Sequence, residues 1–280
     1  TSFGLDEDPS VISTRVEACV SEIKRWMAGS FLKLNDNKTE VVCFASKRSN
    51  INNASYAVHV GDSLIAPSSS TRNLGVFMDQ HMNMKEFVMK TCQSCYLHLR
   101  DISSIRDSLT AEAAAQLIHS LVTSRLDYCN SLLTGCTQQI ITKLQRVQNM
   151  AARIVVGRQS RSFESSRSLL QHLHWLPVAE RIRYKVSIMT FKALNDLAPP
   201  YISNMVQMYE PPQNQPLLRS ANQNRLALPN TSPRAISADR TFDDAAPKIW
   251  NILPLRCRTA DTLGAFKKNI KTEFYVNCFN

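Results

Sequence analysis

The helical character of this chain is clearest in the stretch Thr137-Gln-Gln-Ile-Ile-Thr-Lys-Leu-Gln-Arg-Val-Gln-Asn-Met-Ala-Ala-Arg-Ile-Val-Val-Gly-Arg158. Hydrophobic residues recur there every three or four positions, which places them on one face of a helix: Ile140, Ile141, Leu144, Val147, Ala151, Ile154 and Val155. This period predicts an amphipathic α-helix, and Gly157 is a typical helix end.

The same period extends outward from this stretch, over about residues 83–194. Thr110 is placed to cap one of these helices and Pro177 precedes another. Residues 199–235 hold seven of the twelve prolines, which predicts a linker or an irregular wrapping segment. Beyond them we expect a compact aromatic and proline module over residues 241–256 and a last helix from Thr262 to about Val276.

Strands are expected only in the first 80 residues. The patterns there predict a helix over residues 10–28, a strand over 39–45, a hairpin of 56–60 with 63–66, and a strand over 74–78. The predicted fold class is therefore α+β, predominantly α.

The charge of the chain is unevenly distributed. The net charge is +10, yet residues 1–136 hold 13 basic and 14 acidic side chains, whereas residues 137–280 hold 20 basic and 9 acidic ones. A positive excess confined to one half favours a polyanionic partner, and nucleic acid before membrane.

Other features exclude several classes of protein. No apolar run approaches the roughly 20 residues of a membrane span. The first residues are acidic where a secretory leader would be basic and then apolar. We therefore expect an intracellular protein, nuclear or cytoplasmic, whose eight cysteines are reduced thiols. Because the chain begins with Thr1, we also expect it to be a piece of something longer.

Cations cluster on two of the predicted helices. Lys143, Arg146 and Arg153 fall within one arc beside the apolar stripe, and Arg158 and Arg161 extend it past Gly157. The next long helix repeats the pattern with Arg181, Arg183, Lys185 and Lys192. Such a face predicts sequence-independent phosphate contacts, although an ordinary solvated helix face has the same composition.

Other candidate chemistry has a simpler interpretation. Cys92 and Cys95 lack the further ligands of a zinc site and are expected to be buried thiols. His172 and His174 lack a third ligand, so we expect a helix end and turn that pack Trp175 and Leu176. The acidic runs at residues 6–8 and 243–244 are interpreted as solvated or capping groups. The sequence thus predicts no metal site and no cofactor.

Several strings, in the same order, resemble the C-terminal part of non-LTR retrotransposon (LINE) reverse transcriptases over about residues 3–275. The strings are Trp26, Phe31-Leu-Lys-Leu-Asn35 and Lys38-Thr-Glu40; Asn73-Leu-Gly-Val76 with Asp79; Ser124-Arg-Leu-Asp-Tyr-Cys-Asn-Ser-Leu-Leu133; Leu144-Gln-Arg-Val-Gln-Asn149 with Ala152 and Arg153; His174-Trp-Leu-Pro-Val178 with Arg181, Tyr184 and Lys185; Ala198-Pro-Pro-Tyr201; Arg219-Ser220; and Phe242 with Pro247-Lys-Ile-Trp-Asn-Ile-Leu-Pro254.

The resemblance implies three parts. Residues 1–80 would be the end of a palm subdomain, residues 81–165 a thumb-like helical bundle that holds template and primer, and residues 166–280 an irregular C-terminal region with a Pro-rich linker and a terminal helix. By the same resemblance, Asn73, Leu74 and Gly75 lie in a primer-grip hairpin. Lys38 would assist nucleotide addition in the intact enzyme.

One departure bears on catalysis. The family's polymerase holds Mg²⁺ with an early palm aspartate and an Asp-Asp pair in an aromatic-x-Asp-Asp turn, and both would lie upstream of Thr1. The resemblance thus implies a reverse transcriptase fragment that lacks the metal-binding aspartates and retains parts that bind RNA or an RNA–DNA duplex. The alternative is a helical protein-interaction module, a retroelement relic anchored by the aromatic and proline module around Trp250.

Overall fold

The fold is α+β and predominantly α in the computed structural model. The structure describes residues 8–44, 53–157, 162–163, 165–210, 223–229 and 240–279. The chain divides into two compact units, Thr1–Phe87 and Val88–Asn280. The first boundary is close to the expected one at residue 80, whereas residues on both sides of the expected boundary at 165 belong to a single unit.

The described part of the first unit contains one long helix and two hairpins. The elements are α1 (Pro9–Gly29), β1 (Val58–Val60), β2 (Ser63–Ile65), β3 (Ser70–Asn73) and β4 (Val76–Asp79). Helix α1 begins as expected, because the Asp8 carboxylate accepts a hydrogen bond from the Ser10 N–H at 2.8 Å and Pro9 occupies the first helical position. None of its side chains is buried, and Trp26 is exposed.

Strand pairing in this unit differs in part from the prediction. The hairpin β1–β2 is confirmed, with Val58 opposite Ile65. The strand predicted over residues 39–45 is wrong for 39–44, and Ala45 lies outside the described residues. A strand needs a neighbouring strand for its backbone groups, and the backbone bond found here joins Ser68 N to Val41 O at 2.8 Å. Strand β3, which the sequence patterns did not predict, pairs with β4.

The second unit is helical. Its helices are α2 (Lys85–Ser104, which begins just before the boundary), α3 (Ala111–Ile118), α4 (Ser124–Asp127), α5 (Gln138–Val156), α6 (Ser166–His172), α7 (Val178–Leu194), α8 (Pro200–Ser203), α9 (Phe242–Ile252), α10 (Leu255–Arg258) and α11 (Leu263–Phe279). A π-helical turn, His119–Thr123, joins α3 to α4. The predicted cap is confirmed, because the Thr110 hydroxyl accepts from the Ala113 N–H at 3.1 Å.

An aromatic core joins α7, α9 and α11. Phe191 stacks on Phe266 with ring centroids 4.5 Å apart, and Trp250 stacks on the same ring at 5.6 Å. The Trp250 indole N–H donates to the Asn224 carbonyl at 2.8 Å. Trp250 is only 2% exposed, so its side chain belongs to the core of this unit.

The environments of the cysteine pair, the histidine pair and Asp244 can be compared with the predictions. Cys92 and Cys95 are buried, as expected, and burial raises the pKa of the Cys95 thiol to about 12. His172 ends α6 and His174 lies in the following turn, also as expected. Asp244 is not solvated: its carboxylate is buried and accepts from Lys248 Nζ at 2.7 Å, one helical turn along α9.

The segment expected to be irregular contains little regular structure in its described part. It holds α8 and an isolated bridge between Met208 and Leu226, and residues 211–222 and 230–239 lie outside the described part. No helix in the described ranges combines the length and the apolarity that crossing a bilayer requires.

Candidate nucleic-acid interface

Helix α5 separates its apolar and charged side chains cleanly. Its buried face includes Ile141, Leu144 and Val147, and the helix ends at Gly157, where φ is 67°. Three cations point away from that face and are exposed to solvent: Lys143, Arg146 and Arg153. We call these three residues the α5 cationic stripe. They are placed as the helical period of the sequence predicts.

Glutamine side chains hold α5 against the start of α7. Buried Gln148 donates from Nε2 to the Leu176 carbonyl at 2.9 Å. Gln145 accepts from the Val178 N–H at 2.9 Å, which supplies a partner for the first backbone donor of α7. These amides fix the orientation of the cationic stripe, and an apolar pattern alone does not reveal such contacts.

The C-terminal end of α5 is capped by a distant arginine. Arg106 donates from Nε to the Ile154 carbonyl at 2.6 Å and from Nη2 to the Val155 carbonyl at 2.8 Å. Its Nη1 donates to the Leu109 carbonyl at 2.8 Å. A cation is favourable at a helix C-terminus, where unpaired carbonyl groups carry partial negative charge. Sequence reasoning missed this contact because it joins residues far apart along the chain.

The cationic stripe lies beside exposed apolar and aromatic groups. Met150 is 38% exposed and falls between Arg146 and Arg153 on the helix surface. Tyr96 of α2 is 40% exposed; burial raises its pKa, and the Arg146 charge opposes that shift. The positive charge of Arg146 is therefore close enough to Tyr96 to act on it.

The charges of the stripe have no carboxylate partner within the described ranges. The polar contact that the structure gives Arg153 is a long hydrogen bond from Nη2 to the Ser166 hydroxyl at 3.4 Å. The salt bridges of the described residues use other cations. Because the stripe keeps its positive charge, it can attract phosphate groups.

The predicted cations of α7 differ from those of α5 in their partners. Arg181 donates to both carboxylate oxygens of Asp127, from Nε to Oδ1 at 2.8 Å and from Nη2 to Oδ2. Arg183 forms an ion pair with Glu180 at 3.2 Å and covers the Phe274 ring. Both arginines therefore serve the fold, whereas Lys185 is exposed.

The primer-grip-like residues and Lys38 lie in the first unit. Leu74 and Gly75 form the two-residue turn between β3 and β4, with φ values of 46° and 85°, and Asn73 ends β3. Both turn residues have positive φ, which suits the twist of a tight hairpin and favours Gly75. Lys38 is exposed at the end of a short turn, Asp36–Lys38. Arg158 and Arg161 lie outside the described residues.

Within the described ranges, no group of three or more His, Cys, Asp or Glu side chains is arranged to hold a metal ion.

No protein-family model, no curated protein and no solved structure matches this chain. The resemblance to reverse transcriptases rests on the sequence strings alone.

Proposed function

We propose that this chain is a non-catalytic fragment of a retrotransposon reverse transcriptase that binds an RNA or RNA–DNA duplex through phosphate contacts. The observation that carries the proposal is the α5 cationic stripe, whose charges are exposed and lack carboxylate partners among the described residues. Contacts of this kind are blind to base sequence, because they reach only the backbone.

The length of the stripe suits a duplex backbone. Lys143 and Arg153 are ten residues apart, which corresponds to about 15 Å along a helix axis at roughly 1.5 Å per residue. In B-form DNA a strand presents a phosphate about every 3.4 Å along the duplex axis. At a spacing of this order, a stripe that lies along the duplex spans about four phosphates of one strand, and its three cations can each contact one of them.

Salt dependence tests the proposal. Each phosphate neutralised contributes about −0.9 to the slope of log K against log salt concentration. The double variant Arg146→Ala with Arg153→Ala should thus reduce the slope for an RNA–DNA duplex by roughly two. Fluorescence anisotropy over a salt series measures it, and alanine preserves the helix because it has the highest helix propensity.

A matched control removes the same charge elsewhere. Lys267 and Lys268 are exposed on α11, so Lys267→Ala with Lys268→Ala changes the net charge equally. We expect this control to leave the slope nearly unchanged. Equal slopes for the two double variants, or a salt-independent affinity for the unmodified chain, would contradict the proposal.

Catalysis is tested apart from binding. We expect no divalent-metal-dependent incorporation of deoxynucleotides on a primed RNA template by this chain, because the resemblance places the metal-binding aspartates upstream. Incorporation above that of a heat-denatured sample would show that carboxylates of this chain bind the metal after all.

A further inference from the structure

A cleft of about 480 Å³ lies within the second unit, and no residue of the α5 cationic stripe belongs to its lining. Asn130 follows α4, Trp175 precedes α7, and Lys271 comes from α11. Two of the strings that carry the resemblance, residues 124–133 and 174–185, meet at this cleft. Its volume is in the range of about 300–1,000 Å³ that small-molecule sites occupy.

Cations outnumber carboxylates in the lining. Lys185 and Lys271 are exposed and have no carboxylate partner in the described part of the chain. The positive charge of Arg181 is paired with the negative charge of Asp127 through two hydrogen bonds. The excess positive charge favours an anion, and ammonium groups are good donors to phosphate.

The cleft also has aromatic surface. Trp175 and Tyr184 belong to its lining, and both are partly buried. The Trp175 ring is held by His119, with ring centroids 5.2 Å apart and the planes at 57°. A partly exposed ring that is fixed by its neighbours provides a surface on which a nucleobase can stack.

A buried amide in the wall is only half paired. Asn130 is 3% exposed, and its Nδ2 donates to Asp127 Oδ1 at 3.3 Å. Its Oδ1 is buried and has no hydrogen-bond partner among the described residues. Buried polar atoms are nearly always paired, so this oxygen calls for a donor that those residues do not supply. An amino or imino group of a nucleobase is such a donor, and Asn130 belongs to the lining of the cleft.

We infer that this cleft binds a nucleoside phosphate, with the phosphate on Lys185 and Lys271, the base against Trp175 or Tyr184, and an N–H of the base donated to Asn130. The nucleotide is either free or an unpaired residue of a strand. This inference does not rest on the proposed duplex binding, because the two sites use different side chains.

Calorimetric titration of the full chain tests the cleft with three probes: AMP, adenosine and ribose 5-phosphate. AMP should bind measurably more tightly than either half, since only AMP engages the cations and the aromatic rings together. Lys271→Ala should weaken AMP binding about tenfold, the lower end of what a hydrogen bond to a charged group contributes. Lys268→Ala is the control, because Lys268 is exposed on the same helix and does not line the cleft.

Further arms separate the sources and the two proposals. Competition of AMP by single-stranded oligoadenylate, but not by a blunt duplex, identifies an unpaired residue of a strand; lack of competition by either identifies the free nucleotide. The variant Arg146→Ala with Arg153→Ala should bind AMP as the unmodified chain does, whatever its affinity for duplex.

The inference is overturned by any of three results. One is no AMP binding at millimolar concentration by a chain whose circular dichroism shows it folded. The second is equal weakening by Lys271→Ala and Lys268→Ala, which would reduce the effect to general surface charge. The third is equal affinity for AMP and ribose 5-phosphate, which would remove the base from the site.

Discussion

The end of α5 depends on Arg106, and replacing that arginine by Met isolates the contribution of its hydrogen bonds. Met keeps an apolar stem of similar length but has no donor. The Ile154, Val155 and Leu109 carbonyls each lose a hydrogen bond of 2.6 to 2.8 Å. We expect Arg106→Met to destabilise the second unit and to fray the last turn of α5.

The size of the expected loss in unfolding free energy follows from the number of these hydrogen bonds and from how exposed they are to water. Hydrogen bonds to charged groups contribute about 1.5–3 kcal/mol each when they are well buried. Arg106 is half-buried. Water can therefore replace it at the carbonyls, and the released side chain regains up to about 2 kcal/mol of conformational entropy. We expect a net loss of about 2–3 kcal/mol, which for a unit of this size corresponds to a fall in Tm of roughly 5–10 °C.

Gly157 provides an independent check on the same contact. Its φ of 67° and ψ of −135° suit glycine alone, so Gly157→Ala should cost about 1–3 kcal/mol from the backbone. A Cβ there would also lie 3.1 Å from Arg106 Nη2 and push the guanidinium away from the carbonyls. The two substitutions should therefore be non-additive, with the double variant less destabilised than the sum of the single ones.

Urea unfolding followed by circular dichroism measures these free energies, and amide hydrogen exchange locates the fraying. Arg106→Lys, which keeps the charge but not the forked donors, should recover part of the loss. A loss below about 0.5 kcal/mol for Arg106→Met would refute the reasoning, as would strict additivity with Gly157→Ala, since the two side chains would then not meet.

Three more predictions concern ionisable groups of the second unit. Burial and the Arg181 charge lower the pKa of His119 below 6.5, so the folded chain resists a proton that the unfolded chain accepts. The free energy of unfolding should therefore fall as the pH drops below about 6.5. His119→Gln should make that fall smaller, as measured by urea midpoints at pH 7 and pH 5. Cys95 is fully buried, and burial raises its pKa to about 12. A thiol reagent should therefore leave Cys95 unmodified in the native chain while the exposed Cys19 reacts. Rapid labelling of Cys95 in the native chain would show that its helix opens. Arg258 is 8% exposed, two of its nitrogens lack partners among the described residues, and burial lowers its pKa. Arg258→Met should therefore leave the unfolding free energy unchanged or raise it by about 1 kcal/mol, and a clear loss in thermal unfolding would reveal a hidden partner.

Local patterns were sufficient for the elements that depend on neighbours in the sequence. The apolar period and Gly157 located α5, and Thr110 marked the start of α3. The strand expected over residues 39–45 failed in its described part because a strand depends on a partner that its own sequence does not specify. The pair Asp244 and Lys248 had a readable signal, since an acidic and a basic residue four apart face each other on a helix.

Residues with the same chemistry and the same kind of position in the sequence have different roles in the fold. Arg146 and Arg181 are both cations on amphipathic helices, yet Arg146 is exposed and Arg181 is held by Asp127. The side of a helix that another element covers is decided by packing between distant segments, and the helical period shows only that two sides exist. The same limit explains Trp250, whose aromatic character is equally compatible with a surface anchor and with the core it occupies.

The sequence by itself determined the helical class, the positive excess after residue 136 and the line of cations on α5, because these follow from composition and from a period of 3.6 residues. Only the tertiary structure decided which cations remain free of carboxylates among the described residues, that Arg106 closes α5, and that Asn130, Trp175 and Lys271 line one cleft. The reason is physical: charge pairing and clefts arise between residues distant in sequence, whose approach is set by the packing of the whole unit.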